Sequence, residues 1–228
     1  MTDLTTLTVD ELHAQLRGLT GDKVKPITTE LVRRARIPNL LRTSGVPRTW
    51  AGVSLGEVAP QPGQQTAARA LLRVAPGAKG LYLYGQAGHG KSYLSAAWVT
   101  WLVMRGISAK YIRWADLLAD VRERMDRRDK PEPAMIDLAI GAEALVLDDL
   151  GAGGRATPWS VGIAERILDD RLGEGRVTVI TSNLAPAGPP SIPTVAGTMS
   201  ARVASRLAEA CAPLKLSGRD LRVHGVGG

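Results

Sequence analysis

The chain has 228 residues, 44% of them apolar, and a formal net charge of +7, a balance that favours a polyanionic partner such as nucleic acid. Its size suits one α/β domain with additional sequence at one end, while the longest apolar run, residues 93–104, is too short to cross a bilayer. The lone Cys211 excludes an internal disulfide and the N-terminus lacks the features of a signal peptide, so we expect a cytoplasmic protein with no membrane partner.

Residues 1–45 are predicted to form a small helical N-terminal arm. Thr8 and Glu11 have the spacing of a capping box, which predicts a helix over residues 9–19. A second, shorter helix is expected before Pro38, because proline disrupts a helix interior. The apolar stripe of the first helix can pack on the main domain or dock on another protein, and the residues leave both possibilities open.

Residues 46–228 are predicted to form the main domain, after a linker at 42–50. Helices are expected at 62–75, 91–105, 115–128, 157–173 and 200–210. Apolar strands are expected at 81–84, 108–114, 144–149, 177–181 and 213–217. Strands that alternate with helices indicate a parallel sheet with helices on both faces.

The octet GQAGHGKS follows the first of these strands and opens a helix. It fits the pattern G-x-x-x-x-G-K-[ST], whose backbone N–H groups surround phosphates and whose helix adds its positive N-terminal end. Lys91 is expected to contact the β- and γ-phosphates of ATP, and Ser92 to bind Mg²⁺. We expect the His89 ring to face solvent. The predicted cofactor-binding residues are Gly85, Gln86, Ala87, Gly88, His89, Gly90, Lys91, Ser92 and Tyr93.

Polar residues follow two other buried strands. Asp148 is expected to hold the Mg²⁺ shell, and Asp149 stands where a base can polarise the attacking water. Asn183 follows the strand at 177–181, at the end that faces the ligand crevice in parallel sheets. It is expected to orient the water near the γ-phosphate; the alternative is that Asn183 caps a turn.

The segments GLYLYGQAGHGKSYL, ALVLDDLG, VTVITSNL and ARVASRLAEACAPLKLSGRDLR occur in this order. Together they resemble the AAA+ ATPases of the DnaC/DnaI-type replicative helicase loaders, with IstB-like transposition ATPases as near relatives, over residues 45–222. The resemblance implies an α/β P-loop NTPase fold of the AAA+ (ASCE) class. Its five parallel strands would have the order 5-1-4-3-2, which puts Asn183 between the Walker A and Walker B strands.

The resemblance also implies self-association, because AAA+ sites are completed by an arginine finger from a neighbouring subunit. Arg206 matches that position, and Arg202, one helical turn earlier, is the competitor. The alternative is a surface helix on which two arginines repel each other mildly. The family's C-terminal helical lid is expected to be missing or vestigial, which puts adenine recognition in doubt.

A basic segment after the second strand corresponds to the region that initiator-type relatives use on single-stranded DNA. An alternative is a solvated helix with the favourable pairs Glu123–Arg127 and Asp126–Lys130. The residues expected to reach DNA phosphates are Arg122, Arg124, Arg127, Arg128 and Lys130.

The leading hypothesis is an ATP-dependent helicase loader, in which the arm grips a hexameric replicative helicase and ATP hydrolysis releases it onto single-stranded DNA. A second hypothesis is an IstB-like transposition helper on duplex DNA; such relatives usually carry Asp-Glu where this chain has Asp148-Asp149. A third is a small-molecule kinase, which needs an acceptor pocket and a phosphate-clamping lid.

Overall fold

We describe a computed structural model of the chain, which covers residues 3–17, 19–53, 55, 62–127, 134–153, 156–218 and 220. The strands are β1 (Gly80–Tyr84), β2 (Ala109–Arg113), β3 (Ala144–Asp148), β4 (Val177–Ser182) and β5 (Cys211–Lys215). The helices are α1 (Val9–Leu16), α2 (Val24–Thr43), α3 (Pro62–Leu71), α4 (Lys91–Val103), α5 (Trp114–Asp126), α6 (Met135–Gly141), α7 (Pro158–Gly173), α8 (Val195–Thr198) and α9 (Ala201–Ala210).

All five strands run parallel in one sheet, in the order β2-β3-β4-β1-β5. This arrangement confirms the predicted α/β fold and the expected order of the strands in the sheet, 5-1-4-3-2. Because β4 lies between β1 and β3, the segments that follow these three strands meet at one edge of the sheet. The glycine loop, the acidic pair and Asn183 are those segments.

Helices cover both faces of the sheet. One face packs on α3 and α4, where Trp98 is fully buried, and the other packs on α5, α6, α7 and α9, where Trp114 is 2% exposed. The interior strand β3 is buried along its whole length, as expected for a parallel strand covered on both sides. Among the helices in the described ranges, none has the length and apolarity needed to cross a membrane.

The arm differs from its prediction in the extent of its helices. α1 begins with the predicted capping box but ends at Leu16. The predicted stop before Pro38 is wrong, because α2 runs for 20 residues with Pro38 inside it. A proline in a helix removes one hydrogen bond and crowds the preceding turn. Ile27 is buried on one side of Pro38 and Leu40 packs against the core on the other, and this burial offsets the local cost.

Two short helices lie where the sequence predicts none. The segment between β4 and α9 contains α8, which begins where the Thr194 side chain accepts a hydrogen bond from the Gly197 N–H. The helix α6 packs against α5 and α7 before β3. Helices of this length depend on tertiary packing more than on intrinsic propensity, so the sequence pattern alone does not reveal them.

Ion pairs join the parts of the arm to one another and to the core. Glu30 of α2 accepts hydrogen bonds from Arg33 and Arg34, and these contacts hold the pKa of Glu30 at about 2. Arg34 also donates to three backbone carbonyls near the N-terminus. Arg33 donates to the Met104 carbonyl at the end of α4. The α2 helix is therefore fixed to the core, and α1 packs on α2 through the buried Leu12.

Candidate nucleotide-binding site

The predicted phosphate-binding loop connects β1 to α4. Gly88 and Gly90 have φ of 82° and 84°, a left-handed conformation that glycine adopts without steric cost. Gly85 has no room for a side chain, because a Cβ there would lie 2.3 Å from the Leu216 carbonyl oxygen. The loop therefore needs these glycines for its shape. Its position at the N-terminus of a 13-residue helix suits an anion.

Lys91 is the residue that joins the loop to the rest of the site. Its side chain is buried, and Nζ donates to the carbonyl oxygens of Gly85 and Gln86 and to Oδ1 of Asn183, each at 2.8 Å. An ammonium group at this position beside the loop can donate charge-assisted hydrogen bonds to phosphate oxygens. The structure thus brings Lys91 and Asn183 together, as the strand order predicted.

The acidic pair at the end of β3 is fixed by one hydroxyl from β4. Thr181 is fully buried, and its Oγ1 donates to Oδ1 of Asp148 at 2.6 Å while accepting from the Asp149 N–H at 2.8 Å. Asp149 has a φ of 59°, so the chain turns sharply there. Sequence reasoning did not assign a role to Thr181. The signal for it was a hydroxyl near the end of β4, one residue after the Ile180 that pairs with Leu147.

The segment after β5 borders the loop and corrects one prediction. The His89 ring does not face solvent: Nδ1 lies 3.1 Å from the Leu216 carbonyl oxygen, and the ring is partly buried. Gln64 of α3 donates to the His89 carbonyl at 3.1 Å. A Cβ at Gly88 would lie 2.0 Å from an Asp220 carboxylate oxygen. Neighbours from α3 and from the chain beyond β5 therefore support the loop from outside.

Three aromatic rings lie beside the start of α4. The Trp50 ring meets Tyr93 edge-on at 6.4 Å and Tyr111 edge-on at 6.3 Å between centroids. Burial and the charge of Asp148 raise the pKa of the Tyr111 hydroxyl well above its ordinary value. Tyr111 therefore stays protonated.

The residues present fit ATP and Mg²⁺. The described part of the chain holds no cluster of three or more His, Cys, Asp or Glu side chains that could cage a metal. Mg²⁺ at a nucleotide site does not need one, because it is bound by one or two protein oxygens, phosphate oxygens and waters. Ser92 and Asp148 provide a hydroxyl and a carboxylate, and the Tyr111 hydroxyl lies close to both.

The two candidate finger residues lie on α9 and face carboxylates. Arg202 pairs with Glu165 and Asp169 at 3.6 and 3.1 Å, and Arg206 pairs with Asp169 at 2.6 Å and Glu209 at 3.0 Å. These partners offset the repulsion expected between the two arginines, and the contacts with Glu209 and Asp169 raise the pKa of Arg206. The Arg202 and Arg206 side chains are 61% and 39% exposed, so another subunit can reach both.

The helix α5 carries two of the cations predicted to contact DNA, and the described residues do not include Arg128 and Lys130. The guanidinium of Arg122 lies 4.8 Å from the centroid of the indole ring at the start of α7. Arg124 pairs at 2.8 Å with a carboxylate one turn earlier, and Arg127 is exposed just after the helix. Arg122 and Arg124 therefore have partners within the chain, which favours the alternative of a solvated, locally paired helix at those positions.

No protein-family model matches the chain. Among characterised proteins, it is 24% identical over 150 residues to the replicative helicase loader DnaI of Bacillus subtilis (strain 168). That match spans 63% of this chain and 48% of DnaI, so the chain covers about half the length of this relative.

Solved structures agree with this likeness. A crystal structure of DnaI superimposes with a TM-score of 0.62 and 28% identity, over 75% of this chain and 94% of that one. The DnaC helicase loader matches with a TM-score of 0.62 and 24% identity, over 75% of this chain and all of that one. The replication initiator DnaA bound to AMPPCP and single-stranded DNA has the same fold, with a TM-score of 0.61 and 17% identity over 76% and 51% of the two chains.

Proposed function

The chain is related in sequence and fold to the AAA+ proteins of the DnaC/DnaI type, as its motifs predict, and from that premise we propose that it is an ATP-dependent loader of a replicative DNA helicase. The observation that carries the proposal is the contact of Lys91 with both the glycine loop and Asn183. It joins a phosphate-binding element to a polar side chain beside the acidic pair. DnaI, the relative with 28% identity in its solved structure, supports the choice of client.

ATP is proposed to bind with its phosphates in the glycine loop, because a DnaA neighbour of the same fold holds AMPPCP. Lys91 would exchange its carbonyl partners for phosphate oxygens, an exchange that strengthens its hydrogen bonds because phosphate is anionic. Bound Mg²⁺, held by Ser92 and Asp148, would neutralise phosphate charge. Those two residues and Lys91 thus form the proposed binding set.

Hydrolysis requires a positioned water and stabilisation of the charge that develops on the phosphate. Asp149 is proposed as the base that polarises the water, and Asn183 as the residue that orients it. The backbone of Asp149 is fixed by Thr181, so its carboxylate leaves the sheet in a defined direction. The cation that stabilises the developing charge is proposed to be an arginine from another subunit, with Arg206 preferred over Arg202.

The two parts of the chain are proposed to have separate roles. Residues 46–228 would form the ATPase domain, and residues 1–45 would bind the hexameric helicase. Val9 and Val32 of the arm are 44% and 54% exposed, and exposed apolar side chains of this size suit a protein interface. Such a role would be carried out in the cytoplasm, where the replication machinery works.

Single-stranded DNA is the proposed second partner, supported by the DnaA structure with that ligand and by the net charge of +7. The exposed Arg127 is the described candidate for a phosphate contact, since Arg122 and Arg124 already have partners. Contacts of this kind are insensitive to base sequence and weaken as salt increases.

A pull-down with the hexameric replicative helicase of the source organism tests the loader role. The full-length protein carrying Val9→Asp and Val32→Asp is expected to lose helicase binding while keeping its nucleotide affinity. Point changes are preferable to removing residues 1–40, because α2 packs on α4 and its loss would uncover the core. Ile192→Asp is the matched control, because Ile192 lies on the surface of the main domain and is 48% exposed; this variant should bind normally. Unchanged binding by the double variant would contradict the role of the arm.

A further inference from the structure

Tyr111 of β2 has a buried hydroxyl that donates to no side chain or carbonyl among the described residues. A buried hydroxyl without a hydrogen bond destabilises the folded protein, so a tyrosine at this position needs a functional explanation. Tyr111 is 3% exposed and belongs to the same core cluster as Trp98 of α4. A phenylalanine would pack there without the unpaired oxygen.

The sheet register shows where the hydroxyl points. Arg113 of β2 stands opposite Asp148 of β3, and Tyr111 stands opposite Val146. Side chains two residues apart lie on the same face, so Tyr111 and Asp148 both project toward α4. The Tyr111 hydroxyl consequently lies close to the Asp148 carboxylate and to the Ser92 hydroxyl at the start of α4. These two groups are the proposed magnesium ligands.

Asp148 is flanked by hydroxyls from both neighbouring strands. Thr181 of β4 donates to Oδ1 from one side, and the Tyr111 hydroxyl of β2 is the neighbour on the other side. Residues that donate to a metal-binding carboxylate fix its orientation, and their loss typically reduces metal affinity by about 10–100-fold.

The backbone around Tyr111 receives the linker that joins the arm to the core. The Tyr111 N–H donates to the Ser44 carbonyl at 2.7 Å, and Lys110 Nζ donates to the Thr43 carbonyl. The Trp50 ring then packs edge-on against the Tyr111 ring. Gly45 has a φ of 78°, and a Cβ there would lie 2.3 Å from the Tyr111 carbonyl oxygen. Tyr111 thus binds the linker through its backbone, and its side chain lies beside Asp148.

We propose that Tyr111 is a positioning residue for Mg²⁺ at the nucleotide site, held in place by Ser44, Gly45 and Trp50 of the linker. The inference rests on the proposed ATP site. Asp148 and Ser92 would hold the Mg²⁺, and the Tyr111 hydroxyl would donate to the Asp148 oxygen that Thr181 does not reach and so orient the carboxylate. Displacement of the linker moves Tyr111, so the state of the arm alters the affinity of the site for the metal.

The test measures binding of a fluorescent ATP analogue to the full chain, in EDTA and across a Mg²⁺ titration. Tyr111→Phe should need about 10-fold or more Mg²⁺ for half-maximal binding, with unchanged affinity in EDTA. Tyr82→Phe is the matched control, because Tyr82 is a buried tyrosine of β1 whose hydroxyl donates to the Leu184 carbonyl. Its loss costs stability without touching the metal ligands, so its Mg²⁺ midpoint should match that of the unaltered protein.

A Mg²⁺ midpoint in Tyr111→Phe equal to that of the unaltered protein would overturn the inference and leave the ATP site standing. Nucleotide binding by the unaltered protein that does not depend on Mg²⁺ would do the same. Failure of the unaltered protein to bind the analogue under any condition would instead overturn the proposed function itself. The three results differ, so the two proposals can fail separately.

The role of the linker is tested by Gly45→Ala against Gly52→Ala. Both glycines have positive φ, 78° and 90°, so each substitution strains the local backbone in the same way. Only at Gly45 does the added Cβ meet Tyr111, since nothing lies within 4 Å of a Cβ at Gly52. Gly45→Ala should raise the Mg²⁺ midpoint and Gly52→Ala should not. Equal midpoints would overturn the coupling between linker and site.

Discussion

The nucleotide site and the N-terminal arm are built on different principles. In the site, polar groups come from the ends of buried parallel strands, and the strand order brings them together. In the arm, two helices are positioned by ion pairs around Glu30 and by packing on α4. The strand order holds the residues of the site in place. The arm is held by a few ion pairs and by packing on α4, and a partner can replace the ion pairs.

The largest effect is expected from Lys91→Ala. The variant removes the only group that bonds to both the loop carbonyls and Asn183 in the described contacts, so ATP binding should be abolished together with turnover. Phosphate release and equilibrium binding of ATP measure the two effects. Lys79→Ala, at an exposed lysine before β1, is the control and should behave normally. Unchanged turnover in Lys91→Ala would show that the loop is not the ATP site.

Arg206→Ala separates the site within one chain from its completion by a neighbour. ATP binding should be spared, because Arg206 pairs with carboxylates on α7 and α9 in its own chain. Turnover should fall by about 10³-fold, the effect typical of a lost arginine finger. Mixing Arg206→Ala with Asp149→Asn subunits should restore part of the activity, since each supplies what the other lacks. Full activity of Arg206→Ala alone would show that Arg206 is not the arginine finger, and that Arg202 has this role or that none is needed.

Thr181→Val tests whether the acidic pair depends on β4. The change keeps the shape of the side chain but removes the donor to Asp148 and the acceptor for the Asp149 N–H. We expect turnover to fall by about 10–100-fold and the free energy of unfolding by about 1–3 kcal/mol. Thr100→Val is the control, because Thr100 is buried in α4 and its hydroxyl donates to the Ala96 carbonyl of its own helix. Equal activities of the two variants would exclude a role for Thr181.

The smallest effect concerns the arm and its pH dependence. Contacts with Arg33 and Arg34 lower the pKa of Glu30 from 4.5 to about 2, so their stabilisation is present above pH 4.5 and is lost as the pH falls toward 2. At neutral pH, Glu30→Gln should reduce Tm by about 2–4 °C, and this difference should shrink in acid. Thermal unfolding followed by circular dichroism measures both. A Tm difference that stays constant from pH 7 to pH 2 would contradict the lowered pKa of Glu30.

The sequence predicted the glycine loop and the acidic pair because their signals are local and chemically specific, whereas the sheet order was implied by the resemblance to a known family. A glycine octet between a strand and a helix, and carboxylates after an apolar strand, have few other uses. Pro38 misled the prediction, because the burial that keeps α2 intact comes from residues distant in sequence. The positions of His89 and Tyr111 could not be predicted for the same reason, since their neighbours Leu216 and Ser44 come from other elements.

The most direct test of the account is delivery of the source organism's replicative helicase to single-stranded DNA. Unwinding of a forked DNA substrate by that helicase is followed with the full-length protein and ATP, and again with Lys91→Ala. The account predicts that the unaltered protein accelerates unwinding and that Lys91→Ala does not. Equal acceleration by both proteins, or none by either, would contradict the claim that ATP at this loop drives the loading of a helicase.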